Sequence, residues 1–143
     1  MNYPRLVKLT GLLVFTLLFA CGLAACSPNT ATVAEAEYPS KIVGNWQGKV
    51  GGTNETISFG ANGEFVSLVR PGGFISMTLG QGVTGKVSGM WTIKGRSITL
   101  AISSTEHERV SNNVAMATIE SLKPNELLVK SSTGVTSTFV RLM

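Results

Sequence analysis

Ile98, Leu100 and Ile102 alternate with Ser97, Thr99 and Ala101, and this two-residue period constrains the chain more than any other feature. Successive side chains of a strand point to opposite faces of a sheet, so an apolar residue at every second position buries one face and leaves the other to water. The same texture recurs with turn signals between its stretches. Ile57 and Phe59 alternate with Thr56 and Ser58, Ala61-Asn62-Gly63 interrupts, and Phe65-Val66-Ser67-Leu68-Val69 resumes. Asn and Gly accept the positive φ that a tight hairpin turn requires. Trp91 and Ile93 lead through Lys94-Gly95 into the stretch from Ser97. Leu127-Leu128-Val129 and Val135 to Leu142 form a further pair around Ser132-Thr133-Gly134, with Lys123-Pro124-Asn125 as the turn before it. Val114 to Leu122 is the most helix-compatible window, but its Val, Thr and Ile weight it toward a strand.

These segments amount to about eight or nine strands within roughly 100 residues, joined by short connections that make sequential neighbours pair antiparallel. A meander of this kind exposes two edges, and closing into a barrel removes them. The expected fold is therefore all-β, a single small up-and-down antiparallel barrel of about eight strands over 41–143, with a sandwich as the alternative. The Gly residues bunched between Gly72 and Gly89 suit bends and bulges in strongly curved strands.

The first 25 residues have a different character. Arg5 and Lys8 precede an apolar run from Leu9 that ends in Gly22, Ala24 and Ala25, the pattern of an export signal. Leu23-Ala24-Ala25-Cys26 resembles the lipobox of bacterial lipoproteins. That resemblance implies cleavage before Cys26 and attachment of diacylglycerol and palmitate to it. Leu18-Phe19-Ala20-Cys21 is a poorer match, because Phe19 stands where a small residue belongs. Two or more acyl chains hold a protein firmly to a bilayer where one binds marginally. The reading divides the chain into a signal peptide over 1–25, a lipidated Cys26 with a flexible linker over 26–40, and the barrel domain. Ser27 after the cysteine implies, by the same resemblance and in a Gram-negative host, sorting to the outer membrane facing the periplasm. Cys21 leaves with the leader and Cys26 is consumed by lipid, so no disulfide is expected.

Within the domain, Ile42-Val43-Gly44-Asn45-Trp46 resembles the Gly-x-Trp opening of lipocalin-like barrels. Thr56 to Phe59 with Asn62-Gly63-Glu64-Phe65 is similar to their second and third strands, and Gly89 to Leu100 to their middle hairpin. In that family the Trp packs across the closed end of the barrel. The resemblance implies a non-enzymatic binding module for a small apolar ligand or envelope component, with Trp46, Trp91 and Phe65 as candidate ligand contacts, although such residues also simply fill small barrels. A second reading is a protein-interaction or periplasmic enzyme-inhibitor module. It would use the linker or the uncharged, Gly-rich stretch 71–82, with Phe74, Ile75, Met77 and Leu79 as partner anchors. The plainer alternative for that stretch is a buried strand.

Composition removes several function classes. The chain has no Asp, which rules out a Ser-His-Asp set and thins the supply of carboxylate metal ligands. His107 is the only histidine. In a strand its neighbours Glu106 and Glu108 would point to the face opposite it, so the three do not converge on a metal or form an acid–base pair. No enzyme activity, metal or cofactor is expected beyond the covalent lipid. The formal charge of +4 falls to +2 without Arg5 and Lys8, and the remaining basic residues stand singly, unlike a nucleic-acid-binding patch.

Overall fold

Eight strands follow one another around a closed barrel in which every neighbour in sequence is a neighbour in space. The computed structural model describes residues 31–50, 52–79, 83–106 and 113–143. The strands are β1 Gly44–Val50, β2 Thr53–Phe59, β3 Glu64–Val69, β4 Gly85–Lys94, β5 Ser97–Thr105, β6 Val114–Lys123, β7 Glu126–Ser131 and β8 Thr136–Arg141. All pairings are antiparallel. The ring closes between β1 and β8, where Trp46 faces Arg141 and Gly48 faces Phe139. A barrel, not a sandwich, is thus the solution to the edge problem. Among the described residues two short helices complete the fold: α1, Tyr38–Lys41, which follows a 3-10 turn over Glu35–Glu37, and α2, Phe74–Leu79, between β3 and β4.

The alternation read from the sequence is the alternation of burial. In β3, Phe65, Ser67 and Val69 are buried while Glu64, Val66 and Leu68 are exposed, and β5 buries Ile98, Leu100 and Ile102. Gly63, with φ +83°, makes the β2–β3 turn that Asn62-Gly63 signalled. In β4, Gly89 sits at a bulge against β5, where a Cβ would come 2.0 Å from the Ala101 carbonyl oxygen, so only glycine lets the two strands approach there.

The barrel has two dissimilar ends. At the α1 end, Tyr38, Ile42 and Trp46 are buried together. The Trp46 indole N–H donates to the Ile42 carbonyl at 2.7 Å, and the Arg141 guanidinium lies 4.2 Å above the Trp46 ring. The same guanidinium donates to the carbonyls of Lys41, Val43 and Pro124, tying β8 to the segment before β1 and to the β6–β7 turn. A planar fork that stacks and donates at once is a task for Arg and not for Lys. Trp46 therefore packs across this end as the resemblance implied.

The boundary of the domain moves toward the N-terminus. The flexible linker was expected to reach residue 40, yet Val33 donates its N–H to the Leu122 carbonyl at 2.7 Å, Glu35 lies 3.8 Å from Arg96, and Tyr38 is part of the core. The polar composition of 27–40 hid two apolar side chains, Val33 and Tyr38, that suffice to dock it. The expected signal peptide, Cys26 and the rest of the expected linker up to residue 30 lie outside the described residues.

Candidate functional site

At the opposite end, α2 crosses the mouth of the barrel above a cavity of about 30 Å³. The walls are apolar, with Ile57, Leu100 and Val129 from the strands, Phe139 from β8, and Phe74 and Ile75 from α2 as the roof. One lining residue is ionisable. Glu55, in β2, is 1% exposed and shares its inward row with Ile57 and Phe59.

The surroundings of this carboxyl follow from the local chain. Gly72 (φ +74°) and Gly73 turn the chain after β3, and the Gly73 N–H donates to the Arg70 carbonyl. That turn aims the first amides of α2 into the barrel. The Phe74 N–H donates to Glu55 Oε2 at 2.5 Å and the Ile75 N–H to Oε1 at 3.4 Å. The first N–H groups of a helix have no partner within it, so the carboxylate supplies what the helix lacks. A Cβ on Gly73 would sit 2.8 Å from Glu55 Oε2, so glycine is also what lets the carboxyl approach. Ser67 Oγ is 3.5 Å from Oε1 but donates to the Thr56 carbonyl at 2.8 Å.

The same seat holds the side chain of Phe74. Gly48 faces Glu55 on one side and Phe139 on the other. A Cβ on Gly48 would lie 2.6 Å from the Phe139 ring, so the missing side chain makes room for that ring. Phe74 meets Phe139 edge to face, with centroids 5.9 Å apart and planes at 87°.

Burial pushes the Glu55 carboxyl up from 4.5 to about 7, against the opposing pull of the Phe74 and Ile75 amides and Ser67. An ionisable group on an otherwise apolar interior face costs stability, and such placements concentrate at functional sites. Polar groups are unevenly shared between the two halves of the interior. Among the described residues the buried polar side chains are Glu55, Ser67, Ser76, Ser131 and Ser137, all toward the α2 end. Ser137 Oγ has no hydrogen-bond partner among the described residues.

The sequence-derived candidates fall into place unevenly. Trp46, Trp91 and Phe65 all lie in the half nearer α1, and none of them lines the cavity. Trp91 packs edge-on against Phe59 at 5.6 Å and donates its indole N–H to the Gly60 carbonyl, so its ring is filling the core. The cavity is lined instead by residues beneath α2, among them Ile57, Leu100, Val129 and Phe139. Phe74 and Ile75 are buried and face inward, and Met77 and Leu79 pack partly against the core. The stretch 71–82 is therefore neither a free partner-facing loop nor a strand but a helix that roofs the barrel; residues 80–82 lie outside the described residues. His107 and Glu108 are likewise outside them, and among the described residues no cluster of His, Cys, Asp and Glu is placed to hold a metal.

Sequence reading missed Glu55. The signal was present, since carrying the Ile57–Phe59 alternation one step back puts residue 55 on the inward face. No family model and no curated protein matches the chain. Among solved structures it is similar to a lipocalin-like protein from Bacteroides uniformis, at 18% identity and a TM-score of 0.49, with 71% of this chain and 99% of that one covered.

Proposed function

We propose that this chain is a lipid-anchored envelope protein whose barrel binds a small apolar molecule, with α2 as a displaceable cover. The observation that carries the binding part is the apolar cavity roofed by a six-residue helix. As it stands the cavity has room for one or two water molecules, whereas small-molecule pockets usually span roughly 300–1,000 Å³. Binding therefore requires Phe74 and Ile75 to leave the interior. Their departure costs little backbone structure, because α2 contributes no strand to the barrel. The reading is of a carrier or sensor without catalysis or cofactor.

The anchoring part is supported by Leu23-Ala24-Ala25-Cys26 behind its apolar run. Radiolabelled palmitate should mark the wild-type protein, and Cys26→Ser should shift it from the membrane to the soluble fraction. An unlabelled wild type, or an unmoved Cys26→Ser variant, overturns the anchor. For the interior, an environment-sensitive apolar dye should bind the purified protein and bind Phe74→Ala at least several-fold more tightly, because the variant both enlarges the cavity and weakens the cover. A dye that ignores the Phe74 substitution is bound elsewhere, and the interior reading then fails.

A further inference from the structure

We infer that the molecule held in the barrel is a chain-like amphiphile whose head is a hydrogen-bond donor, an alcohol or a primary amine, and that this head replaces the α2 amides at Glu55. The inference rests on the interior-binding reading above and adds to it the chemistry of the ligand and its orientation.

Three observations converge on it. First, the hydrogen-bond donors that Glu55 has from the backbone belong to the cover itself, the N–H groups of Phe74 and Ile75. Lifting α2 removes both at once. The nearby Ser67 hydroxyl bonds the Thr56 carbonyl at 2.8 Å and reaches Glu55 Oε1 only at 3.5 Å, so it replaces them poorly. A carboxylate left in an apolar ring with that one long contact is costly, and an incoming donor relieves the cost. Second, the polar side chains of the interior all sit toward α2, whereas the half toward α1 is packed with Trp46, Phe65 and Trp91. A ligand with one polar end therefore lies head toward α2 and tail inward. Third, Ser137 Oγ, 3% exposed and on the same inward row of β8 as Phe139, is left unpartnered among the described residues. It offers a second hydrogen-bonding atom at the end where the head would lie. A fatty acid is the wrong ligand for such a mouth, because its carboxylate would face that of Glu55 in a setting that screens charge poorly.

The test compares lauryl amine, lauryl alcohol and lauric acid, which share one tail, as competitors of the bound dye at pH 8, where Glu55 is ionised. The amine and the alcohol should each displace the dye at concentrations at least tenfold lower than the acid. In Glu55→Gln the three should fall within about threefold of one another, chiefly through a gain by the acid and a loss by the amine, while retained alcohol binding reports that the variant is folded. Equal displacement by acid and amine in the wild type overturns the inference and leaves interior binding standing. A wild-type preference that survives in Glu55→Gln assigns the discrimination to another group and also overturns it. Failure of all three to displace the dye removes the interior-binding reading and this inference together. Should Glu55→Gln not fold, the wild-type ranking alone decides.

Discussion

Glu55 makes the stability of the protein depend on pH in a direction opposite to that of an ordinary surface carboxylate. Its pKa is higher in the folded state, about 7, than the 4.5 of the free group, so the folded protein holds a proton that the unfolded chain has released. The stabilisation linked to that proton is complete below pH 4.5 and is lost as the pH rises through 7. At about 1.4 kcal/mol per pH unit, the loss is about 3 kcal/mol. Urea titrations of wild type and Glu55→Gln should show the stability difference moving in favour of the variant by about that amount between pH 4.5 and pH 8. A constant difference would show that the carboxyl is solvated. The Trp46–Arg141 pair predicts a simpler effect. Arg141→Lys keeps the charge but gives up the stacked fork and most of its three carbonyl bonds, and should cost about 1–3 kcal/mol at any pH between 5 and 8. The two residues also mark the limits of reading a sequence alone. Trp46 announces itself by type and by its Gly-x-Trp setting, whereas Glu55 is chemically ordinary and acquires meaning only from the face of β2 on which it falls.

At the scale of elements, the hairpins were legible and α2 was not. Each hairpin carries its own instructions, an alternating strand, a turn with Gly, Pro or Asn and a second alternating strand, all close together in sequence. In Phe74-Ile75-Ser76-Met77-Thr78-Leu79 the local signals point the other way: Ile75, Met77 and Leu79 alternate with small polar residues, and Ile and Thr favour strands. The helix forms because a residue 19 positions earlier receives its first amide. Its stability is thus borrowed from the barrel. Gly73→Ala should break that loan, since the added methyl group collides with Glu55 Oε2 and with the Arg70 carbonyl. Amide exchange at Phe74 and Ile75 should accelerate by at least tenfold while β5 and β6 remain protected. Equal acceleration in the strands would mean that the cover and the barrel unfold as one unit. The segment 33–41 was missed for a related reason: its composition is that of a linker, and only two of its apolar side chains, Val33 and Tyr38, pack against the core.

Over the whole molecule, the closed meander agrees with the sequence because each strand pairs with the next, leaving only the β1–β8 seam to be set by distant residues. The seam is fixed by Gly48 under Phe139, by Arg141 and by the Leu142 N–H on the Asn45 carbonyl, none of which periodicity reveals. Tyr38→Ala, which empties the floor of the α1 end, should cost about 3–5 kcal/mol in global unfolding, and leave the preference among lauryl head groups unchanged because the two ends of the barrel are chemically separate.

The docking of Val33 has a directional consequence. Residues 27–32 separate Cys26 from Val33, the first of the described residues to contact the barrel, a span of at most about 25 Å when fully drawn out. Under the proposed acylation of Cys26, the α1 rim, where Val33 docks, would face the lipid and the roofed mouth would be turned away from it. Cargo would then be exchanged with the surrounding fluid or with another protein meeting the mouth head-on, and not drawn sideways out of the leaflet to which the molecule is moored.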